Sequence, residues 1–195
     1  MASLYFTYSA MNAGKSTELL QVAHNYEEQH MHVALLSPKI DNRYGSGMIS
    51  SRLGIAKPAK SFMPDDNLVV MVNRLRAEQP IDCILVDEAQ FLTREQVWQL
   101  SDVVDCLGIP VMCYGLRTDA FGNTFDGSER LLALADKIVE RKTICKCGRK
   151  ATMVLRKDSH GDVVKSGTQI QIGDHDTYES VCRKHYKLAF FGSQN

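Results

Sequence analysis

The segment Ser9-Ala10-Met11-Asn12-Ala13-Gly14-Lys15-Ser16 constrains this chain more than any other. It follows an apolar run, Leu4 to Tyr8, and precedes a helical pattern that starts at Thr17. Strand, short loop, Gly-Lys-Ser and helix is the layout of a phosphate-binding loop, in which backbone N–H groups and a helix N-terminus wrap a polyphosphate. Lys15 is placed to reach the β- and γ-phosphates, and the Ser16 hydroxyl to hold Mg²⁺. The first Gly of the usual G-x-x-x-x-G-K-[ST] pattern is Ser9 here. Only Gly14 is left to tolerate a positive φ or a close backbone approach.

A second motif gives the loop a partner. Cys83-Ile84-Leu85-Val86-Asp87 is an apolar run ending in an aspartate, the pattern whose carboxylate helps hold Mg²⁺. In a parallel sheet both strand ends open onto one crevice. Glu88 follows at once and faces the reacting phosphoryl group. It can take a proton from an attacking hydroxyl as a general base. If the attacker is water the chain is an ATPase, and if it is a substrate hydroxyl the chain is a kinase. Asp87-Glu88-Ala89-Gln90 also resembles the D-E-A-x box of helicases. A helicase motor normally needs two such domains, and 195 residues cannot hold both.

The segments between these motifs alternate. Strand patterns at Leu4 to Tyr8, Val33 to Ser37, Cys83 to Val86, Ile109 to Tyr114 and Lys137 to Glu140 are interleaved with helical ones. The helices run from Thr17 to about Gln29, from near Pro64-Asp65-Asp66, from Thr93 to about Leu107, and from Ser128 to Ala135. Thr93-Arg94-Glu95-Gln96 resembles a capping box. This order predicts an α/β fold: a parallel sheet with helices on both faces. The Gly- and Ser-rich stretch from Asn42 to Ala59 reads as a long irregular loop, a type often functional. After Arg141 the character changes to short polar runs, turns such as His160-Gly161-Asp162, and small antiparallel strands. A boundary there divides the chain into a nucleotide-binding domain, 1–140, and a small second domain, 141–195.

Cys145-Lys146-Cys147 and Cys182-Arg183-Lys184-His185 lie in the second part. Three thiolates and an imidazole complete a tetrahedral Zn²⁺ shell, and a full shell is structural. Gly148 gives the knuckle backbone freedom. The metal staples a segment too small to bury a core of its own. Cys83, Cys106 and Cys113 lie in or beside apolar runs and read as packed thiols. Between the ligand pairs, Asp174-His175-Asp176-Thr177-Tyr178 can fold over a substrate as a lid, with the Tyr178 ring available for stacking.

Basic and acidic residues balance at 23 each, so no whole-surface field points to a nucleic-acid partner. No stretch approaches the ~20 apolar residues that span a bilayer. The N-terminus, Met1-Ala2-Ser3, lacks the basic and apolar regions of a secretory signal. These features predict a cytoplasmic protein with no membrane partner.

Taken with Ile40-Asp41-Asn42-Arg43-Tyr44, Ser51-Arg52-Leu53-Gly54, Tyr114-Gly115-Leu116-Arg117-Thr118-Asp119 and Ser180-Val181-Cys182-Arg183-Lys184-His185, these motifs resemble the type II, cytosolic-type thymidine kinases. The likeness runs over nearly the whole chain. It implies a P-loop, RecA-like sheet plus a small zinc-binding domain carrying a lasso-like lid. It implies transfer of the ATP γ-phosphate to the 5′-hydroxyl of thymidine or deoxyuridine, giving dTMP for nucleoside salvage. In that reading Glu88 is the base, and Lys15 and Arg52 supply positive charge. Ser9 to Ser16, Asp87 and Gln90 hold ATP, with Ser16 and Asp87 on Mg²⁺. Cys145, Cys147, Cys182 and His185 bind structural zinc. The nucleoside lies among Met11, Phe91, Leu116, Phe121 and Tyr178, with lasso residues Gln171, Ile172 and Gly173. A homotetramer inhibited by dTTP is also implied. The family pattern Gly-Leu-x-Thr-Asp-Phe-x-Gly departs here: Asp119-Ala120-Phe121-Gly122 brings the aromatic one residue late. In a loop, one position can turn a side chain to the opposite side.

Two other readings compete: an ATPase or helicase-like fragment in which Glu88 activates water, and a zinc-ribbon nucleic-acid binder with a regulatory P-loop. Hydrolysis without nucleoside marks the first, and salt-dependent affinity for DNA or RNA the second.

Overall fold

A computed structural model describes residues 1–41, 47–169 and 177–192. The chain begins with β1 (Leu4–Ser9), α1 (Lys15–Glu28) and β2 (Val33–Pro38). Then come β3 (Met48–Ser50), β4 (Ala56–Pro58), β5 (Lys60–Phe62), α2 (Leu68–Glu78) and β6 (Cys83–Val86). A 3₁₀ turn (Ala89–Phe91) leads to α3 (Arg94–Leu107), β7 (Val111–Leu116), α4 (Asp126–Leu134) and β8 (Lys137–Glu140). Smaller strands follow: β9 (Thr143–Ile144), β10 (Lys150–Ala151), β11 (Met153–Lys157) and β12 (Thr177–Val181), before α5 (Arg183–Phe191).

Six strands form one parallel sheet in the order β5-β2-β6-β7-β1-β8. Alternation along each strand sends side chains to opposite faces. Ile84 and Val86 of β6 join Phe6, Leu36 and Val111 in a core covered by α2, α3 and α4. Cys83 and Leu85 point the other way and pack with Leu19, Leu20 and Ala23 of α1. Helices therefore cover both faces, as the alternating pattern predicts, but three lie on one side and one on the other. Ile49 of β3 completes the thinner side.

Most element limits agree with the sequence patterns. The capping box at α3 is present: the Thr93 side chain accepts from Gln96 N–H, and Gln96 accepts from Thr93 N–H. Its C-terminus closes on Gly108 at φ 69°. Three readings need correction. Cys106, read as a packed thiol, is exposed on α3, while Cys83 and Cys113 are buried. The helix expected at Pro64-Asp65-Asp66 begins at Leu68, because the Asn67 side chain caps Val70 N–H while Asp66 closes a turn onto Met63 N–H. The segment from Asn42 to Ala59, read as an irregular loop, contains the antiparallel pair β3–β4 in its described part. Strand β5, just after it, pairs in the main sheet. Each of these strands has only three residues, too few for a periodicity to register.

Past Arg141, Cys145, Ala151, Leu155, Val181, Cys182 and Tyr186 form a separate small apolar cluster. β11 and β12 pair antiparallel across it.

Candidate active site

Strands β1, β6 and β7 end on the same edge of the sheet, so the loops that follow them converge. They frame a cleft of about 1530 Å³. Its floor is the phosphate loop. Gly14 sits at φ 76° as the N-cap of α1, a left-handed conformation in which a Cβ is costly. Asn12 also has a positive φ, 62°. Met11, Asn12, Ala13, Gly14, Lys15 and Ser16 all line the cleft. Ser9 and Ala10 lie beneath it: Lys15 Nζ donates to Ser9 Oγ (3.0 Å) and to the Ala10 carbonyl (3.2 Å). The Ser9 hydroxyl at the motif's first glycine position thus anchors the loop's own lysine.

Asp87 reaches this loop from the end of β6, past the intervening strand β7. The Ser16 hydroxyl hydrogen-bonds to the Asp87 carboxylate. Burial and the neighbouring Glu88 push the Asp87 carboxyl up, against the Ser16 hydrogen bond and the Lys15 ammonium. A buried carboxylate beside a hydroxyl and a second acid is a poor place for an anion without a cation. The donor set is oxygen throughout, which suits Mg²⁺.

Glu88 adopts φ 48°, ψ 41°, a left-handed conformation uncommon for a residue with a side chain. Such strain persists only where the surroundings fix it. Gln90 anchors the side chain of Glu88. Its amide N–H₂ donates to Glu88 Oε2, and its Oε1 accepts from Leu116 N–H at 3.0 Å. Gln90 was expected on the nucleotide. Although it lines the cleft, both ends of its amide are engaged in holding Glu88 to the end of β7.

Two glycines make this possible: Gly115, in the Tyr114–Asp119 motif, and Gly127, which no motif marks. A Cβ at Gly115 would lie 2.9 Å from Gln90 Oε1 and 3.0 Å from its backbone nitrogen. A Cβ at Gly127, in α4, would lie 2.6 Å from the Ala89 carbonyl and 2.7 Å from that of Leu92. The Ser128 hydroxyl beside it donates to the Leu116 carbonyl. The turn carrying Glu88, Gln90 and Phe91 is therefore pressed between β7 and α4. Gly127→Ala should cost about 1–3 kcal/mol of stability by overpacking, measurable by urea unfolding.

The rest of the cleft is more apolar. Phe91, Leu116 and Tyr178 line it, with Met11. Phe121 does not. Ala120 and Phe125 line the cleft instead, and Phe125 meets Phe91 edge to face at 6.0 Å. The cause is the loop after β7. Asp119 Oδ1 accepts from the N–H groups of Phe121 and Asn123, and Thr118 pairs with Thr124. That tight closure directs Ala120, and then Phe125, toward the cleft. Arg52 lines it from the β3–β4 turn. Gln171, Ile172 and Gly173, with Asp174-His175-Asp176, lie outside the described residues.

The second part of the chain is tied to the cleft by contacts the sequence does not announce. The Ser180 hydroxyl donates to the Met11 carbonyl at 2.7 Å. Tyr186 OH donates to the Ala120 carbonyl at 2.9 Å. Gln169 Nε2 donates to Asp119 Oδ2 at 2.9 Å. Behind these contacts stands the Cys/His cluster. Cys145 begins a knuckle closed by Gly148 at φ 78°, Cys182 caps α5, and His185 lies in that helix's first turn. The four ligand atoms lie within 4.8 Å of one another. Cys147 and Cys182 sulfurs are 3.9 Å apart, close to the ~3.8 Å that a tetrahedral zinc with 2.3 Å bonds requires. Cys145 Sγ and Cys182 Sγ stand 3.1 and 3.6 Å from His185 Nδ1. Burial opposes ionisation of the Cys145 thiol. The backbone N–H groups of Cys147 and Cys182, with His185, outweigh it and bring the thiol down to about 6. A thiol whose ionisation is favoured by its surroundings is suited to a metal.

The family model described as thymidine kinase matches residues 2–186. A thymidine kinase of Idiomarina loihiensis is 63% identical over 189 residues, covering 97% of this chain and 98% of that protein. A thymidine kinase of Rhodopirellula baltica is 58% identical over 191 residues, covering 98% of this chain and 90% of that protein. One from Mannheimia succiniciproducens is 57% identical over 187 residues, covering 96% of each. A match spanning both the phosphate-loop sheet and the Cys/His cluster leaves one assignment: this chain belongs to the thymidine kinase family.

Proposed function

We propose that this protein transfers the γ-phosphate of ATP to the 5′-hydroxyl of thymidine, and of deoxyuridine, to give the 5′-monophosphate. The observation that carries the reading is the pairing of two unlike halves in one cleft. A phosphate loop with Lys15 occupies one half, and Met11, Phe91, Leu116 and Tyr178 wall the other. Glu88 lies in the same cleft. An ATPase needs only the first half; the apolar half fits a flat base.

In this reading Glu88 accepts the proton of the 5′-hydroxyl as the oxygen attacks the γ-phosphorus. Gln90 keeps its carboxylate in place. Backbone N–H groups of the loop and Lys15 hold the β- and γ-phosphates and take up charge as the bond to ADP breaks. Arg52 adds positive charge from the β3–β4 turn. Mg²⁺ carried with ATP, held by Ser16 and Asp87, would screen the phosphate oxygens. Segments on either side of the lid bond to Met11 and Asp119, so the lid can shut out water that would otherwise hydrolyse ATP. Gln171, Ile172 and Gly173 belong to that lid, and Ser9 and Ala10 support Lys15 from below. The Cys145, Cys147, Cys182 and His185 cluster holds structural zinc, with 1–140 as the kinase domain and 141–195 as its zinc domain.

The resemblance further supports a cytoplasmic homotetramer inhibited by dTTP, whose base and triphosphate suit the two halves of the cleft. Among the described residues no helix is long and apolar enough to cross a membrane.

The test is a coupled assay. ADP should form in step with thymidine consumed, and ATP alone should give little ADP. ADP formed at the same rate without nucleoside would make this an ATPase instead. Tight, salt-dependent binding to DNA or RNA with no nucleoside turnover would favour the nucleic-acid binder.

A further inference from the structure

Glu18 and Arg141 form an ion pair that the proposed reaction does not use. Glu18 lies in the first turn of α1, just beyond the phosphate loop. Arg141 is the first residue after β8, and its backbone N–H donates to the Tyr8 carbonyl at 2.8 Å. Both side chains line the cleft. Arg141 Nε stands 2.8 Å from Glu18 Oε2. That oxygen is buried and receives no in-line hydrogen bond. The guanidinium also lies within electrostatic range of Tyr114, and Glu18 is its one ion-pair partner among the described residues. A carboxylate and a guanidinium, each incompletely satisfied, face a cleft that takes an anion.

Sheet order gives the pair a direction. The strands run β6-β7-β1-β8. The γ-phosphate must point toward Asp87 and Glu88, which follow β6. The loop after β1 grips the middle of the polyphosphate. The remainder of the nucleotide then leaves on the far side of β1, where β8 ends and Arg141 stands. We infer that Arg141 binds the phosphate donor: oriented by Glu18, its guanidinium contacts the α-phosphate of ATP. Without Arg141, Glu18 would stand beside three phosphates as an uncompensated negative charge. With it, one edge of the guanidinium meets the carboxylate and the other meets the nucleotide, a geometry suited to arginine's fork. This inference rests on the kinase reading of the cleft.

The experiment measures Mg·ADP binding by calorimetry alongside steady-state kinetics, for the unaltered protein and for Arg141→Leu, Arg141→Lys, Glu18→Gln and the Glu18→Gln/Arg141→Leu double variant. Thermal midpoints establish that each variant is folded. Arg141→Leu should weaken Mg·ADP binding and raise KM for ATP about tenfold, while KM for thymidine stays within about twofold. Arg141→Lys, which keeps the charge, should fall between the two and so preserves the test should the leucine variant not fold. The double variant should stay weak, because the nucleotide contact is gone in both. ADP affinity unchanged in Arg141→Leu would overturn the inference. So would recovery of full affinity in the double variant, since Arg141 would then only neutralise Glu18. If the unaltered protein failed to bind Mg·ADP at all, the kinase reading itself would fall, an outcome distinct from the other two.

Discussion

Glu88→Gln lowers kcat by a factor of about 10² to 10⁴, the contribution typical of a positioned general base. The substitution keeps the size of the side chain and removes its ability to take a proton. The αL turn and its packing between β7 and α4 should persist, because Gly115 and Gly127 rather than the carboxylate provide the room. Binding of Mg·ADP and of thymidine should therefore remain near normal, so the loss falls on kcat and not on KM. Single-turnover kinetics with both substrates saturating would measure it. Turnover near that of the unaltered protein would remove Glu88 from the base role. Glu88→Ala would be less informative, because it also strips Gln90 of its partner.

The second large effect is expected from the Cys/His cluster, although none of its four residues lines the cleft. Cys182→Ser, or extraction of zinc by a strong chelator, should lower kcat/KM for thymidine by more than about a hundredfold. Structural zinc contributes on the order of 10–16 kcal/mol of apparent binding energy in small domains, so its loss unfolds the segment that depends on it. The apolar cluster beyond Arg141 has few members, and two of them, Cys145 and Cys182, belong to the Cys/His group as well. When it loosens, the Ser180–Met11 and Tyr186–Ala120 hydrogen bonds should go with it, and Tyr178 should leave the apolar side of the cleft. The phosphate loop belongs to β1 and α1 and packs on the main sheet, so Mg·ADP binding should largely survive. Metal analysis, circular dichroism and nucleotide calorimetry on one sample would separate these effects. Full activity in protein shown to contain no zinc would refute the structural role.

The two predictions differ in how far the sequence alone supports them. Glu88 can be read directly, because a strand ending in Asp-Glu is a local pattern and its partner, the phosphate loop, is another. The Cys/His cluster is also legible as residue types at metal-binding spacing. Neither reading required a knowledge of the sheet order. The alternation of elements was legible for the same reason: burial periodicity and capping are set within a dozen residues. The three-residue strands β3, β4 and β5 escaped because nothing so short carries a period. Helix α2 shifted because an Asn at 67 offered a cap that competed with the acids before it.

The support of the site was a different matter. Gln90 shares a motif with Asp87, and nothing in that motif says that its amide joins Glu88 to β7. Gly115 sits in a motif that does not say what it packs against, and Gly127 reads as an ordinary glycine until the turn between them is seen. Phe121 was the aromatic nearest the family's position, yet the Asp119 closure brings Ala120 and Phe125 to the cleft. Glu18 and Arg141, far apart in the chain, gave no signal of pairing.

By itself, then, the order of amino acids determined the chemistry available: a cradle for polyphosphate, an acid at the end of a strand, a metal-binding quartet and the α/β alternation that carries them. Those features are encoded by neighbours, through backbone conformation and local spacing. Only the tertiary structure decided which groups hold Glu88, which aromatics line the cleft, and how the small Cys/His cluster is tied to the phosphate loop. Such contacts join residues distant in the chain, and they form only where sheet order and helix packing bring them together.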